Sequence, residues 1–303
     1  MRTLRCLSAK TPPPPASSQH ALFGRFGPTF VKPDAFSAEL RTARAAAEAA
    51  AEIISAYAQG KRDSWDKTED NPVTQADLDA NQAIISRIAA AFPRDAILSE
   101  ETADSGERLD CERVWVIDPL DGTKEFIAGI PEYAVSVALA VNGEPMVGVV
   151  HQPQTAECFW AAKGRGAWLN EERIRISEAT DFDQAVMLSS RTEMKRGQVD
   201  EYKSWFREVR PVGSVALKLA FTAAGRGDVW LSMAPKSEWD VCGGDLLVRE
   251  AGGTFVTFGD GERVYNQKDI LLTPIMAAGP PELIRAMRAR TERNEKSERK
   301  AGA

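Results

Sequence analysis

The sequence predicts an α/β protein built in two parts: an α+β N-terminal part that holds an antiparallel sheet, and an α/β C-terminal part. Apolar segments between residues 134 and 162 are separated by short turns, and the Asn142–Gly143 pair is a strong β-hairpin signal. After residue 185, strand-like apolar segments alternate with helical ones, which is the pattern of an α/β sheet. A chain of 303 residues is long for one hydrophobic core, so we predict two domains, over 38–184 and 185–284.

The elements of the N-terminal part follow from composition and periodicity. An alanine-rich segment that ends at Gly60 predicts a first helix, and a second helix ends shortly before Pro93. Between the two helices we predict a polar loop over 63–74. The predicted helices cover 39–57 and 75–91, and the predicted strands cover 96–99, 114–117, 134–141, 145–150 and 157–162.

The C-terminal part alternates short apolar segments with helical ones, and Gly252–Gly253 marks the end of its last predicted helix. The predicted strands cover 186–190, 228–233 and 254–258, and the predicted helices cover about 201–208, 214–224 and 239–251.

Both ends of the chain differ from the two predicted domains. Residues 1–37 are predicted to be a disordered leader, because the first 33 residues contain five basic residues, no acidic residue and a run of four prolines. An organelle transit peptide has a similar composition and stays open as an alternative. Residues 285–303 mix charges of both signs and predict a charged tail with the character of a fraying helix.

Composition excludes several classes of function. The chain has 44 acidic and 38 basic residues, a net charge of −6, and its lack of a basic stripe argues against binding a nucleic-acid polymer. With only His20 and His151, it cannot form a multi-histidine zinc site. No apolar run reaches the length of about 18 residues that crosses a membrane. The four cysteines are scattered without a Cys-x-x-Cys pair, which predicts reduced thiols and a cytoplasmic location.

The negative charge is concentrated in one segment. Residues 66–121 contain 14 acidic and 5 basic residues, a net charge of −9, which leaves +3 for the rest of the chain. Glu100 and Glu101 directly follow an apolar strand, and Pro119 favours a tight turn that would bring Asp118 and Asp121 to the same side. Crowded carboxylates repel one another unless a cation is present, and oxygen ligands without histidine or thiolate favour Mg²⁺, Mn²⁺ or Ca²⁺. The alternative is that these acids are solvated strand ends.

A phosphate-sized anion would fit next to such a metal site. If a helix starts at Asp121, the free amides of Gly122 and Thr123 point towards an anion, and glycine allows a close approach. The carboxylates alone would repel a phosphate, so a metal ion must lie between them. This combination is typical of metal-dependent hydrolysis of phosphate esters.

Four segments in order resemble the inositol monophosphatase superfamily of Mg²⁺-dependent, lithium-sensitive phosphatases. They are Asn71–Asp77, Leu98–Glu101, Trp115–Phe126 and Trp239–Gly253, and the resemblance extends over roughly 39–280. It implies the layered αβαβα sandwich of that superfamily.

The resemblance also implies roles for individual residues. The metal ligands, for two to three Mg²⁺ ions, would be Glu100, Asp118, the backbone carbonyl of Leu120, Asp121 and Asp240, with Asp77 in the surrounding hydrogen-bond network or water shell. Glu100 and the hydroxyl of Thr123 would help to deprotonate an attacking water, and Asp70 would orient it. Asp240 can also be interpreted as an N-terminal helix cap, which would use a different oxygen.

The substrate is predicted from the residues after the Asp-Gly-Thr motif. Lys124 and Glu125 resemble the bacterial 3'(2'),5'-bisphosphate nucleotidases, and Met233 replaces the glutamate that inositol-specific members have seven residues before the position of Asp240. We therefore expect removal of the 3'-phosphate of adenosine 3',5'-bisphosphate, which gives AMP. The expected substrate-binding residues are Gly122, Thr123, Arg191, Ser214 and Lys218, with Lys236 as a further cation for the second phosphate.

Other interpretations stay open at this point. An inositol-1-phosphate phosphatase and a histidinol-phosphate phosphatase share the metal motifs. A non-catalytic metal-binding member is disfavoured, because every ligand position that can be matched is intact. The expected partner is a small phosphorylated substrate, without nucleic-acid polymer or membrane, and relatives of this kind often form homodimers.

Overall fold

The computed structural model of the chain describes residues 35–60, 63–68, 71–258, 264–273 and 275–301. Within these residues the helices are α1 (Ser37–Ala58), α2 (Gln75–Ala91), α3 (Thr123–Ala128), α4 (Arg191–Lys195), α5 (Asp200–Lys203), α6 (Val215–Ala223), α7 (Glu238–Glu250) and α8 (Pro281–Ala301). The strands are β1 (Ser64–Thr68), β2 (Asn71–Thr74), β3 (Ala96–Ser99), β4 (Arg113–Asp121), β5 (Ala134–Val141), β6 (Glu144–Gln152), β7 (Glu157–Ala162), β8 (Ala167–Leu169), β9 (Glu172–Ile174), β10 (Val186–Ser189), β11 (Glu208–Pro211), β12 (Val229–Ser232), β13 (Lys236–Ser237), β14 (Thr254–Thr257), β15 (Leu271–Leu272) and β16 (Met276–Gly279). The predicted leader, apart from its last three residues, lies outside the described residues.

Two larger sheets organise these elements. A seven-stranded sheet has the order β3-β4-β5-β6-β7-β8-β9, in which β3 and β4 are parallel and the other pairs are antiparallel. A five-stranded sheet has the order β11-β10-β12-β16-β14, with parallel pairs on both sides of β10 and antiparallel pairs on both sides of β16. This arrangement confirms an antiparallel N-terminal sheet and a C-terminal α/β sheet.

The helices form three layers, one on the outer face of each large sheet and one between the two sheets. Helix α1 lays buried alanines such as Ala43 and Ala47 on the seven-stranded sheet beside α2, because small side chains allow a close approach. Helices α6 and α7 lie between the two sheets, where Leu217 and Leu247 pack against side chains of both. Helices α5 and α8 cover the far face of the five-stranded sheet. The predicted αβαβα sandwich is confirmed.

Three predicted elements differ from the structure. The predicted polar loop over 63–74 is instead the β1–β2 hairpin, and the predicted helix over 201–208 is reduced to α5 followed by the edge strand β11. The predicted charged tail belongs to α8, which begins at Pro281. Leu283 and Met287 of α8 are four residues apart and fully buried against the five-stranded sheet, so an apolar face anchors a helix that also carries many charged residues.

The structure bears on the predicted reduced cysteines and on the predicted lack of a membrane-spanning segment. Cys158 and Cys242 are free and buried, which agrees with the expectation of reduced thiols at these two positions. Across the described ranges, the helices are too short or too polar for any of them to cross a membrane. The boundary predicted at 184/185 falls just before β10 and stays a prediction.

Helix α7 lies unusually close to strand β6. A Cβ atom added at Gly148 would be 2.6 Å from the carbonyl oxygen of Gly243, and a Cβ added at Gly243 would be 3.2 Å from the Ser136 hydroxyl. Backbone atoms therefore meet where the helix crosses the sheet, and this contact sets the depth of the helix that carries Asp240.

We predict that Gly148→Ala lowers the free energy of unfolding by about 1–3 kcal/mol, the usual cost of an overpacked contact. The measurement is a urea unfolding curve for each protein. Gly60→Ala is the matched control, because its added Cβ would have its nearest neighbour, the Tyr57 carbonyl, at 3.8 Å. Equal midpoints for the Gly148 variant and the wild type would contradict the close contact.

Candidate active site

The ends of two neighbouring strands bring the first acidic residues together. Strands β3 and β4 are parallel, with Ser99 opposite Ile117, so Glu100 and Asp118 follow at the same edge of the sheet. The predicted tight turn at Pro119 is instead an irregularity within β4, where the pairing with β5 shifts between Asp118 and Asp121. The backbone N–H of Leu120 donates to Oδ1 of Asp118 at 3.0 Å, which closes this irregular segment.

Asp118 is almost completely buried, as is Asp77. Its side chain is 1% exposed, and burial raises its pKa well above the ordinary value. The negative charges of Glu100, Asp121, Asp240 and Asp77 raise the pKa of Asp118 further, in that order. Residues from four separate segments of the sequence therefore act on one another electrostatically.

Asp77 and Asp240 have the same position at the start of a helix. Each is the third residue of its helix and forms a capping box, in which the N-cap backbone N–H of Thr74 or Ser237 donates to the aspartate Oδ2 at 2.8 Å. Ser237, not Asp240, is therefore the N-cap of α7. Burial and the charges of Asp121 and Glu100 raise the pKa of Asp240 to about 8.

Asp121 is held by residues of the C-terminal part. Its Oδ2 accepts hydrogen bonds from the Ser214 hydroxyl at 2.7 Å and from the backbone N–H of Ala216 at 2.6 Å. Burial raises the pKa of Asp121, and the Ser214 hydrogen bond opposes that rise. The site is thus built from both parts of the chain.

The Thr123 hydroxyl links two other members of the group. Its Oγ1 lies 3.1 Å from Oδ1 of Asp77 and 3.1 Å from the carbonyl oxygen of Leu120. Helix α3 begins at Thr123 with Gly122 as its N-cap, two residues later than predicted. Gly122 has a φ of 97°, and an added Cβ would be 3.0 Å from the Glu132 carbonyl, so this position requires glycine.

Lys67 is a member of the site that the sequence did not indicate. Its Nζ donates to Oε1 of Glu100 at 2.8 Å and to Oε1 of Glu101 at 2.7 Å. These contacts lower the pKa of both glutamates, although burial is the larger effect and the pKa of each is raised overall. Lys67 lies on the β1–β2 hairpin, which the sequence predicts as a polar loop.

The donor set fits a hard divalent cation. In the part of the chain that the structure describes, no three His, Cys, Asp or Glu side chains already surround a common point at which one metal ion would bind. The candidate ligands are nevertheless all oxygens, and Glu100, Asp121 and Asp240 raise the pKa of Asp118 by their mutual repulsion. A divalent cation would relieve this repulsion, so the all-oxygen chemistry of the donor set suits Mg²⁺.

The predicted substrate cations all have partners within the chain. Arg191 donates to Glu132, and its Nη1 lies 3.7 Å from Oε1 of Glu125. Lys236 lies 3.6 Å from Oε1 of a buried glutamate, Glu193. Lys218 is 2% exposed and bonds to backbone carbonyls. Asp70, the predicted water-orienting residue, lies outside the described residues.

Glu193 is a second residue that the sequence did not indicate. It is 2% exposed, and its Oε1 accepts from the Ser232 hydroxyl at 2.6 Å and from the backbone N–H groups of Met233 and Ala234 at 3.1 and 3.0 Å. It therefore holds the loop that precedes α7. The only sequence signal is the Ser190-x-x-Glu193 spacing of a capping box, of which the structure shows the half in which Ser190 Oγ accepts from Glu193 N.

The chain was compared with known families and structures. It matches the model of the inositol monophosphatase family over residues 37–293. It belongs to the inositol monophosphatase family. The predicted family is therefore confirmed, and the fold neighbours are inositol monophosphatase fold proteins.

Three relatives illustrate the match. The chain is 38% identical over 224 residues to Nus factor SuhB of Escherichia coli K12, covering 72% of this chain and 81% of the relative. It is 36% identical over 203 residues to the fructose-1,6-bisphosphatase/inositol-1-monophosphatase of Thermotoga maritima, covering 66% and 77%. The crystal structure of the extragenic suppressor protein suhB from Bartonella henselae has a TM-score of 0.73 and 28% identity, covering 84% of this chain and 97% of that one.

Family membership carries some of the predicted chemistry. The inositol monophosphatase family acts on small phosphorylated substrates, supports phosphoric monoester hydrolase activity and is generally Mg²⁺-dependent. The residues that hold the metal and the substrate in this chain stay predictions.

We predict that Asp118→Asn stabilises the metal-free protein. The folded-state pKa of Asp118 lies above its ordinary value, so the protonated carboxyl favours folding below the ordinary pKa, and this stability is lost as the pH rises through the folded-state pKa. Asparagine removes this charge and retains an acceptor for the Leu120 N–H. The melting temperature in EDTA should therefore rise by a few degrees, and the further rise on adding Mg²⁺ should shrink.

Glu112→Gln is the control for this measurement, because Glu112 is an exposed acid close by in the sequence. It should leave both the melting temperature in EDTA and the Mg²⁺-dependent rise unchanged. A lower melting temperature in EDTA for Asp118→Asn would contradict the unfavourable burial of this charge.

Proposed function

We propose that this chain is a Mg²⁺-dependent phosphomonoesterase that hydrolyses a small phosphate ester by direct attack of water. The observation that carries the proposal is the buried carboxylate group around Asp118, whose members come from four segments and raise one another's pKa. A purely structural cluster of this kind would oppose folding without a compensating role.

The roles follow from the positions of the side chains. The metal would be held by Glu100, Asp118, Asp121, Asp240 and the carbonyl of Leu120. Bound divalent cations would supply positive charge to the phosphate oxygens and acidify the attacking water. Two to three ions are expected from the family resemblance.

The chain's own residues would accept the proton, orient the water and bind the phosphate. Burial raises the pKa of Glu100 above its ordinary value, which makes this carboxylate a better acceptor for a proton from water. The Thr123 hydroxyl, which lies between Asp77 and the Leu120 carbonyl, would orient that water through its hydrogen bonds. The backbone amides at Gly122 and Thr123 would receive the phosphate.

For the substrate, we propose an ester with a single phosphate, of the inositol 1-phosphate class. A bisphosphate requires cations for its second phosphate, and Arg191, Lys218 and Lys236 are each engaged with carboxylates or carbonyls of the chain. One relative has the name fructose-1,6-bisphosphatase/inositol-1-monophosphatase, which includes the inositol ester but also a bisphosphate, so the choice rests on the engaged cations.

Adenosine 3',5'-bisphosphate is the second candidate. Lys124 and Glu125 after the Asp-Gly-Thr motif favour it, and Met233 cannot bind a sugar hydroxyl as a carboxylate does. Opening of the Arg191–Glu132 pair would release one cation for the second phosphate. A non-catalytic role is disfavoured, because every matched ligand residue is present.

Inhibition by Li⁺, formation of a homodimer and a cytoplasmic location are also part of this proposal. Inhibition by Li⁺ follows from the family resemblance, as does a homodimer. A cytoplasmic location rests on the sequence composition.

We predict that Asp118→Asn reduces kcat by more than about 100-fold at saturating Mg²⁺, beyond the loss usual for residues that only support a metal ligand. The measurement is phosphate release from inositol 1-phosphate. Glu112→Gln should retain wild-type turnover. Wild-type turnover in the Asp118 variant would show that the metal site lies elsewhere.

We predict a higher kcat/KM for inositol 1-phosphate than for adenosine 3',5'-bisphosphate. Both esters are assayed side by side by phosphate release, with Arg191→Gln as the variant that separates the candidates. If the bisphosphate is the true substrate, kcat/KM for it exceeds that for the inositol ester, and Arg191→Gln reduces the bisphosphate reaction selectively.

A further inference from the structure

Lys218 is a fully buried lysine near the carboxylate group. It lies in the second turn of α6, is 2% exposed and has a pKa lowered to about 8 by its burial. Its Nζ donates to the carbonyl of Ser214 at 2.7 Å and to the carbonyl of Val212 at 3.1 Å. The ammonium group therefore binds two carbonyls of the short turn that leads into α6.

That turn contains a strained residue. Ser214 has a φ of 54° and a ψ of 131°, a conformation that a residue with a Cβ rarely adopts. Such a conformation persists only when its surroundings hold it. Lys218 holds the Ser214 carbonyl, and the Ser214 Oγ accepts the backbone N–H of Leu217 at 3.0 Å.

The strained turn is what fixes Asp121. Oδ2 of Asp121 receives the Ser214 hydroxyl at 2.7 Å and the Ala216 N–H at 2.6 Å, and both donors belong to the start of α6. Asp121 itself lies on β4, in the other part of the chain. The orientation of the Asp121 carboxylate thus depends on the turn that Lys218 holds.

We infer that Lys218 is a positioning residue for the metal site: its ammonium group locks the 212–214 turn, and the turn orients the Asp121 carboxylate towards the cation. This inference rests on the proposed function, because it assumes that Asp121 is a metal ligand. It replaces the substrate contact that the sequence predicts for Lys218.

Lys218 could affect metal binding through its positive charge or through its hold on the 212–214 turn, and these two routes predict opposite changes in metal affinity. The positive charge of Lys218 lies close enough to Asp121 to lower the pKa of Asp121, so it also repels a bound cation. Removing the charge alone would therefore tighten metal binding. Releasing the turn would instead weaken metal binding, because Asp121 would lose its fixed orientation.

The test is direct binding of Mn²⁺ to the full chain, followed by the EPR signal of the free ion, with Mg²⁺ added as competitor. Lys218→Met retains the length of the side chain and removes its donors. Supporting residues of a metal site typically change affinity by about 10–100-fold, so we expect the Mn²⁺ Kd to rise by at least about tenfold.

Thr222→Val is the matched control. The Thr222 hydroxyl donates to the Lys218 carbonyl at 2.9 Å and is fully buried in the same helix, but it makes no contact with the 212–214 turn. Its loss removes a buried hydrogen bond to the Lys218 backbone carbonyl but leaves the Lys218 ammonium group and its two bonds to the turn in place, so the Mn²⁺ Kd should stay within about twofold of the wild type.

A double variant tests the route of the effect. If Lys218 acts through Ser214, Lys218→Met should add little to the loss already caused by Ser214→Ala, whereas independent effects would multiply. If Lys218→Met does not fold, Lys218→Gln, which retains one shorter donor group, should still raise the Kd above that of Thr222→Val.

The outcomes separate the two proposals. An unchanged or lower Mn²⁺ Kd in folded Lys218 variants overturns the positioning role and leaves the phosphatase proposal intact. Absence of Mn²⁺ and Mg²⁺ binding by the wild-type chain instead overturns the metal site itself. A fully multiplicative double variant also contradicts the route through Ser214.

Discussion

The structure depends on the burial of negative charge around Asp118. An unpaired buried charge costs several kcal/mol, and a whole domain is stable by only about 5–15 kcal/mol. Asp118 is 1% exposed, and the negative charges of four other acids raise its pKa. The folded state can contain this group only because neighbouring donors and positive charges offset the cost of burying it. Most polar contacts at the site supply that compensation.

The compensation comes from three kinds of donor. The N-terminal ends of α2 and α7 place backbone N–H groups next to Asp77 and Asp240, where the helix dipole favours negative charge. The start of α6 gives a hydroxyl and an amide to Asp121. The ammonium groups of Lys67, on β1, and Lys218, on α6, add positive charge. Hydrogen bonds at the site therefore join the two parts of the chain.

Sequence patterns predicted the parts of the fold that rest on local composition. The boundaries of α2 and β3 match the prediction, because a helix with a capping box and a four-residue apolar strand are both encoded within a few residues. The β1–β2 pair was missed, since its short, largely polar strands lack an extended apolar alternation. The acidic residues were found from their positions after strands. Ser214 and Lys218 were predicted as substrate contacts and not as neighbours of Asp121, because they approach Asp121 from more than 90 residues away in the chain.

The capping boxes at Asp77 and Asp240 give these two acids a structural role in addition to the proposed role in metal binding. One oxygen of each already closes the first turn of a helix, so replacing either aspartate would weaken the fold even in a protein that performs no chemistry. A descendant of this fold that had lost catalysis and taken up another task would thus still be expected to keep both residues. Their presence in a related sequence is consequently poor evidence of enzymatic activity, whereas Asp118, which closes no helix and is unfavourable when buried, is the residue whose retention would be informative.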